Sequence, residues 1–285
     1  MREGRPSITA ALVSFARGVG VHEPIPDPLA GELLPGPLGL ALRRVRDSEA
    51  LRPLGRTLLR YASLGLVDHV SLRTLAIDAL VEEGVREGLD QIVILGAGLD
   101  ARAYRLPALA GTKVYEVDLP ATQRFKRART KRLPAPLAEL VYVSVDFGRE
   151  ALDERLIEAG FDAGRPALFL WEGVTMYLSH DAVDGTLERI ARVAASGSLL
   201  ATTYSIPNPL GSPVGELAKK VLFGLVFGEP MIGEFTPEAM RSLLSAHGFS
   251  VVRDDGGDTW AREAGVDRHL AKLFQGERLV VARRA

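Results

Sequence analysis

The amino-acid sequence predicts an α/β domain built on a doubly wound, mostly parallel β-sheet and preceded by a helical region. Two observations lead to this prediction. From residue 91 onward, short runs rich in Val, Ile, Leu and aromatic residues alternate with helix-sized intervals, which is typical of right-handed βαβ crossovers. Before residue 91, apolar residues recur at spacings of three and four, which indicates amphipathic helices.

The N-terminal part is predicted to be helical over residues 1–88. It is expected to pack on a core domain of residues 89–285 and to cover the ligand-binding site of that domain. Its first helix is expected to begin near Ser7, because serine is a favourable helix cap. A proline-punctuated connector covers 24–37, and a long helical pattern follows at 55–85.

Seven strands are predicted in the core domain. The first five are expected at 91–95, 113–117, 140–145, 167–171 and 198–204, with helices in the intervals 120–132, 149–159 and 179–195. The last two, 249–254 and 277–284, have no obvious full crossover helix between them, so an antiparallel pair at the sheet edge is expected. Residues 205–235 are rich in Gly and Pro and are predicted to be an insertion that forms a lid and shapes the acceptor pocket.

Composition excludes several classes of function. The chain has no cysteine, which excludes disulfides, zinc–cysteine sites and thiol nucleophiles and fits a cytoplasmic location. A net charge of −1 gives no general attraction to nucleic acid or to an anionic membrane, and no apolar run approaches the roughly 20 residues of a membrane span. His, Asp and Glu show no metal-ligand spacing, so no metal is expected.

A glycine-rich turn follows the first predicted strand. Gly96, Ala97 and Gly98 open a G-x-G-x-x-A pattern, which permits a tight turn and close approach of a ligand to the backbone. Asp118 lies 22 residues after Gly96, at the end of the next strand, where a carboxylate can accept hydrogen bonds from ribose hydroxyls. These features indicate a ribose-bearing cofactor, and both a dinucleotide and S-adenosylmethionine require them.

Acidic residues at the next strand ends favour S-adenosylmethionine. Asp146 and Phe147 follow the third strand, where they can contact an adenine amino group and ring, and Glu172 follows the fourth. A row of carboxylates suits a cofactor with a sulfonium and an ammonium better than it suits the pyrophosphate of NAD. Arg73, on the helix before the first strand, can reach the methionyl carboxylate.

The motifs "ILGAGLDARAYRL", "YEVDLPATQRFK", "SVDF" and "LFLWEGVTMYLS", preceded by "LRTLAIDAL", resemble the leucine carboxyl methyltransferase family of S-adenosylmethionine-dependent O-methyltransferases. The resemblance runs from about residue 70 to 205 and is greatest to the bacterial branch of small-molecule and polyketide O-methyltransferases. The N-terminal stretch "PSITAALVSFARG" is also similar to that branch.

The resemblance implies the class I methyltransferase sheet and S-adenosylmethionine as cofactor. It also implies cofactor contacts for individual positions: Arg73 at the methionyl carboxylate, Gly96 and Gly98 along the methionine portion, Asp118 at the ribose, Asp146 and Phe147 at the adenine, and Glu172 at the methionyl amino end. Ala97 and Leu119 are also expected to bind the cofactor. The chain departs from the family's protein-directed members in the N-terminal helices and in 205–275, so a small-molecule acceptor is expected.

The expected reaction is methyl transfer to a carboxylate or hydroxyl of a small molecule, such as a polyketide-type natural product. A hydroxyl acceptor would benefit from a general base, for which the candidates are Tyr177, Tyr204, His69 and His22. Two alternatives stay open from the residues alone: an NAD-dependent oxidoreductase, and a non-catalytic relative that binds the cofactor.

Overall fold

A computed structural model describes residues 8–20, 25–63, 65–146, 150–207, 232–266 and 274–285. These residues include one seven-stranded sheet with the order β3-β2-β1-β4-β5-β7-β6. The strands are β1 (Gln91–Leu95), β2 (Lys113–Asp118), β3 (Glu139–Ser144), β4 (Leu168–Trp171), β5 (Leu199–Ser205), β6 (Phe249–Gly256) and β7 (Glu277–Arg284).

The strand directions confirm the predicted fold class. Strands β1 to β5 pair in parallel, with the reversal of strand order between β1 and β4 that opens a crevice at their carboxyl ends. Strand β7 is antiparallel to both β5 and β6. The reversed strand is therefore next to the edge, and β6, the edge strand itself, runs in the same direction as β5.

The described helices are α1 (Ile8–Val19), α2 (Ala30–Leu33), α3 (Gly36–Asp47), α4 (Leu51–Ala62), α5 (Leu66–Arg86), α6 (Arg102–Arg105), α7 (Pro120–Thr130), α8 (Leu152–Glu158), α9 (His180–Val193), α10 (Pro237–Ala246) and α11 (Gly257–Glu263). The helical pattern predicted at 55–85 corresponds to two helices, the last two turns of α4 and nearly all of α5. Gly65 adopts a φ of +87°, a left-handed conformation that ends α4 and redirects the chain into α5. Ser7, the expected first cap, lies outside the described residues.

Alternate residues of the central strands pack on opposite faces of the sheet. Ile92 and Ile94 of β1 face Leu72 and Ile77 of α5. On the other face, a second buried cluster joins strands to α8 and α9. Helices α1, α2 and α3 form a third buried cluster with the first turn of α5 and the loop after β1, so the N-terminal helices lie beside the carboxyl end of the central strands.

The two ends of the predicted insertion 205–235 are next to each other in the structure. Ser205, the last residue of β5, forms a parallel bridge with Glu234 and accepts a hydrogen bond from the Phe235 amide at 2.9 Å. Residues 208–231 lie outside the described part, so the lid stays a prediction, as does the domain division at residue 88. No helix in the described part of the chain is long and apolar enough to cross a membrane.

Candidate cofactor site

The turn after β1 is held tightly by its neighbours. Gly96 and Gly98 have φ of +65° and +50°, which glycine adopts without strain. A Cβ on Gly96 would lie 2.5 Å from Cγ2 of Val174, and the Ala97 amide donates to the Val117 carbonyl at 3.1 Å. The backbone of the turn is therefore fixed against both β2 and the loop after β4.

Asp118 bridges this turn to the end of β2. Its Oδ2 accepts from the Gly98 amide at 2.6 Å and its Oδ1 from the Leu119 amide at 2.7 Å. Burial raises the pKa of Asp118, and the two amide donors counteract part of that increase. A carboxylate offers about four acceptor positions, so the two amides leave acceptor capacity that the Thr122 side chain and ribose hydroxyls could share. The structure thus brings three of the predicted residues together.

Arg73 and Glu172 are also in direct contact. Arg73, buried on α5, donates from Nε to Oε1 of Glu172, which follows β4, at 2.9 Å. The ammonium and carboxylate of an amino acid are attached to one carbon. An adjacent guanidinium and carboxylate are therefore suitably placed to hold both ends of the same amino acid moiety, as the two predicted roles require.

Two residues that the sequence analysis did not assign also bind Glu172. Arg17 of α1 donates to Oε1 at 2.7 Å, and Arg102 of α6 donates to Oε2 at 2.9 Å. Arg102 also bonds to Asp100, which follows the glycine turn. Burial opposes ionisation of Glu172, but the three guanidiniums prevail and hold the pKa of its carboxyl well below its usual value.

Glu277, the first residue of β7, is a further residue that was not predicted. Its carboxylate accepts from Nη1 of Arg73 at 2.7 Å and lies 2.5 Å from Nε2 of His69. Burial alone would raise the pKa of Glu277, yet Arg73 and His69 lower it to about 2. Helix α5 therefore contacts the first residue of β7 as well as Glu172, which follows β4.

Together these residues form a buried network of charged side chains. The described cations in it are Arg17, Arg73, Arg102, Arg105 and Lys126, and the carboxylates are Asp27, Asp78, Asp100, Glu116, Asp118, Glu172 and Glu277. Carboxylates are in excess, and burial raises the pKa of three of them: Asp27, Asp118 and Glu116, the last to about 7 despite its contact with Lys126.

The network suits S-adenosylmethionine. This cofactor carries a sulfonium, an ammonium and a carboxylate, so its net positive charge would offset the excess of carboxylates. Its charged end would also meet polar atoms that have no hydrogen-bond partner in the structure, among them Nε of Arg17 and Nη2 of Arg102. The pyrophosphate of NAD would instead add negative charge beside buried carboxylates.

The predicted adenine contacts follow β3. Asp146 lies close to Asp118, since the preceding Val145 amide donates to the Asp118 carbonyl at 3.0 Å. The Asp146 amide donates to Glu150 at 2.8 Å. Phe147 lies outside the described residues, so the adenine contacts remain predictions.

The structure describes three of the four candidate bases, Tyr204, His69 and Tyr177, and places them differently. Tyr204 is fully buried in the core and donates its hydroxyl to Asp254 at 2.8 Å, and burial with this acidic partner raises its pKa, so it is not a proton acceptor. His69 is enclosed by Trp260 and Phe274 and bonded to Glu277, which makes it part of the network.

Tyr177 ends a short 3-10 turn and is half-buried. It does not cap α9, because Ser179 accepts from the Ala182 amide at 3.2 Å. His22 lies outside the described residues. Among the candidates in the described part, Tyr177 therefore stays as an acceptor-side residue to test.

The fold and the charge network define a class I S-adenosylmethionine-dependent methyltransferase. Comparison with known families gives the particular family: the model for leucine carboxyl methyltransferases matches residues 10–191. The chain belongs to this family, and the predicted family is confirmed.

Relatives of known sequence agree. A protein of Mycolicibacterium paratuberculosis, named as a candidate S-adenosyl-L-methionine-dependent methyltransferase, is 38% identical over 217 residues, which cover 74% of this chain and 70% of that protein. A Mycobacterium ulcerans protein of the same name is 33% identical over 264 residues and covers 88% of this chain and 84% of its own length.

Solved structures resemble the fold. A DUF574 family protein from Streptomyces avermitilis aligns over 99% of both chains with a TM-score of 0.64 and 15% identity. The magnesium protoporphyrin IX methyltransferase of Synechocystis, solved with bound S-adenosylhomocysteine, aligns over 76% of this chain and 85% of its own, with a TM-score of 0.50 and 17% identity. At these identities the likeness shows the fold alone.

Proposed function

We propose that this methyltransferase transfers the methyl group of S-adenosylmethionine to an oxygen atom of a small molecule, either a carboxylate or a hydroxyl, in the cytoplasm. The observation that carries the proposal is the contact between Arg73 and Glu172 at the crevice, beside the turn bound by Asp118. The name of the family, which describes carboxyl methylation, supports oxygen as the proposed accepting atom.

The chain's own contribution is binding and orientation. When bound, the cofactor supplies a methyl group already activated by its sulfonium. Asp118 would hold the ribose, and Arg73 with Glu172 the amino acid end, so the methyl group is fixed relative to the acceptor. Such positioning can contribute up to roughly 7–11 kcal/mol to lowering the barrier. An ionised carboxylate acceptor needs no general base, whereas a hydroxyl acceptor would benefit from one.

Calorimetry tests the cofactor assignment. Asp118→Ala should weaken S-adenosylmethionine binding at least about tenfold, because the hydrogen bonds from the ribose hydroxyls to this carboxylate are lost. Asp184→Ala, on the exposed face of α9, is the matched control and should bind like the wild type. Equal affinity of Asp118→Ala and the control would refute the ribose contact. Binding of NAD instead of S-adenosylmethionine would refute the proposed function.

A labelled-methyl assay tests the acceptor atom. The enzyme is incubated with methyl-labelled cofactor and a panel of carboxylic acids, phenols and alcohols, and the product is then treated with mild base. Label released by base indicates a methyl ester, whereas retained label indicates an ether. Tyr177→Phe should leave ester formation unchanged but slow ether formation if this hydroxyl assists a phenol. Transfer only to nitrogen or carbon, or to no acceptor, would refute O-methylation of small molecules.

A further inference from the structure

Two carboxylates hold different nitrogens of the Arg73 guanidinium. Nε donates to Glu172 at 2.9 Å, whereas Nη1 donates to both carboxylate oxygens of Glu277, at 2.7 and 2.8 Å. The remaining nitrogen, Nη2, lies beside the loop after β4, 3.8 Å from the position that a Cβ on Gly173 would take. Because the guanidinium is planar, fixing two of its nitrogens also fixes the direction in which the third one donates.

Glu277 is more specific for Arg73 than Glu172 is. Glu172 also accepts from Arg17 and Arg102, at 2.7 and 2.9 Å, so three guanidiniums share its two oxygens. Within the described residues, Arg73 is the only arginine that bonds to Glu277. Without Glu277, Nη1 would lose its acceptor, and Glu172 alone would have to orient Arg73.

The Glu277 side chain is itself held in place by its strand and by α5. It is the first residue of β7, and the Ile206 amide, directly after β5, donates to the preceding Gly276 carbonyl at 2.7 Å. Its Oε2 lies 2.5 Å from Nε2 of His69, which stands four residues before Arg73 on the same face of α5. A carboxylate anchored on a strand and bonded to two residues of one helix face has little freedom to move.

We propose that Glu277 is a positioning residue that orients the Arg73 guanidinium toward the methionyl carboxylate of bound S-adenosylmethionine. This inference rests on the proposed function, which assigns Arg73 to that carboxylate. Glu277 has two opposing effects: its negative charge repels the methionyl carboxylate, whereas its hydrogen bonds fix the group that binds it. Because both of its oxygens are already bonded to Arg73, much of the repulsion is compensated and orientation is the larger effect. The reach of the side chain therefore matters more than its charge.

Two substitutions of Glu277 separate reach from charge. Glu277→Asp keeps the charge but withdraws the carboxylate by one C–C bond, roughly 1.5 Å, so it no longer reaches Nη1 of Arg73. Glu277→Gln loses the charge but keeps the length, and its carbonyl oxygen can accept from Nη1 while its amide donates to Nε2 of His69. Glu87→Asp is the matched control, because Glu87 lies on the surface directly after α5.

Calorimetry with two ligands measures the effect. Each full-length variant is titrated with S-adenosylmethionine and with decarboxylated S-adenosylmethionine, which keeps the sulfonium and the ammonium but lacks the carboxylate. We expect Glu277→Asp to bind S-adenosylmethionine at least about tenfold more weakly than wild type, and Glu277→Gln and Glu87→Asp to stay within about threefold. All variants should bind the decarboxylated ligand as wild type does, which also shows that they are folded. A purely structural role would weaken the binding of both ligands.

The same titrations can overturn the inference. Unchanged affinity of Glu277→Asp for S-adenosylmethionine, or an equal loss for both ligands, would show that Glu277 does not act on the carboxylate through Arg73. Tighter binding by Glu277→Gln would show that repulsion prevails over orientation. In an Arg73→Lys background, which lacks the guanidinium, Glu277→Asp should cause no further loss, and a further tenfold loss would also contradict the inference. A wild type that does not bind S-adenosylmethionine would refute the proposed function itself, and the inference with it.

Discussion

Replacing Glu277 with glutamine removes one charge from the buried network and preserves the shape of the side chain. In the folded chain, Glu277 has a pKa of about 2 against its usual 4.5, because Arg73 and His69 overcome the effect of burial. One pKa unit corresponds to about 1.4 kcal/mol, so the ionised form contributes about 3 kcal/mol to stability at neutral pH. We expect Glu277→Gln to lose about this amount at pH 7.

The pH dependence follows from the direction of the pKa change. A carboxyl with a lowered pKa in the folded state stabilises the fold above its unfolded pKa, and that contribution is lost as pH falls toward the folded pKa. The difference in unfolding free energy between wild type and Glu277→Gln should therefore be constant above about pH 5. It should shrink by about 2 kcal/mol by pH 3.

Urea denaturation at pH 7, 5 and 3 measures this difference. Glu87→Gln is the matched control, because Glu87 pairs with Arg283 at 2.8 Å on the surface, where an ion pair contributes about 0–1 kcal/mol. A loss below about 1 kcal/mol at pH 7 for Glu277→Gln, or a difference that stays the same down to pH 3, would show that Glu277 is not held ionised by Arg73.

Three further predictions concern stability. Gly96→Ala should lower the free energy of unfolding by at least about 2 kcal/mol, because the new Cβ would need a positive φ and would collide with Val174. Gly98→Ala also needs a positive φ but meets no such contact, so it should lower that free energy by about 1 kcal/mol. Equal losses of the two variants in urea denaturation would contradict this. Tyr204→Phe should lower the free energy of unfolding by about 1–2 kcal/mol, because the hydrogen bond to Asp254 is lost, and should leave S-adenosylmethionine affinity unchanged in calorimetry. A tenfold loss of affinity would show that Tyr204 does contribute to the cofactor site. Arg17→Met should lower the free energy of unfolding by about 2–4 kcal/mol, because Glu172 loses a buried ion-pair partner. A loss under about 0.5 kcal/mol in denaturation would show that Arg73 and Arg102 alone are enough to stabilise the Glu172 carboxylate.

The sequence predicts the sheet closely because its strands are short apolar runs between clear turn signals. β1 and β7 begin and end where predicted, β2 and β4 differ by one residue at one end, and β3 and β5 are shifted by one residue at both ends. The break at Gly65 is harder to predict, because glycine is tolerated in many helices and only its left-handed φ of +87° ends this one. The position of β7 between β5 and β6 depends on long-range pairing that local patterns do not encode.

Candidate cofactor-binding residues can be predicted from the sequence where they directly follow a strand. Gly96, Asp118 and Glu172 stand immediately after predicted strands whose carboxyl ends meet at one edge of the sheet. Arg17 and Glu277 have no such position in the pattern: each joins the network across more than 150 residues of sequence. One signal for Arg17 exists, since a charged residue interrupts the otherwise apolar helix "ITAALVSFARGV" and a buried charge requires a partner.

The residues of the charged network come from distant segments of the chain, so formation of the candidate site depends on the packing of the N-terminal helices. Arg17 comes from α1, Arg73 from α5 and Glu277 from β7, and all three converge on or beside Glu172. Removing any one segment would leave buried charges without partners, at a cost of several kcal/mol. The site is therefore complete only when the helices have packed against the carboxyl end of the sheet. Because a cofactor bound there contacts the assembled network and not the separate segments, its binding should stabilise the N-terminal helices together with the sheet.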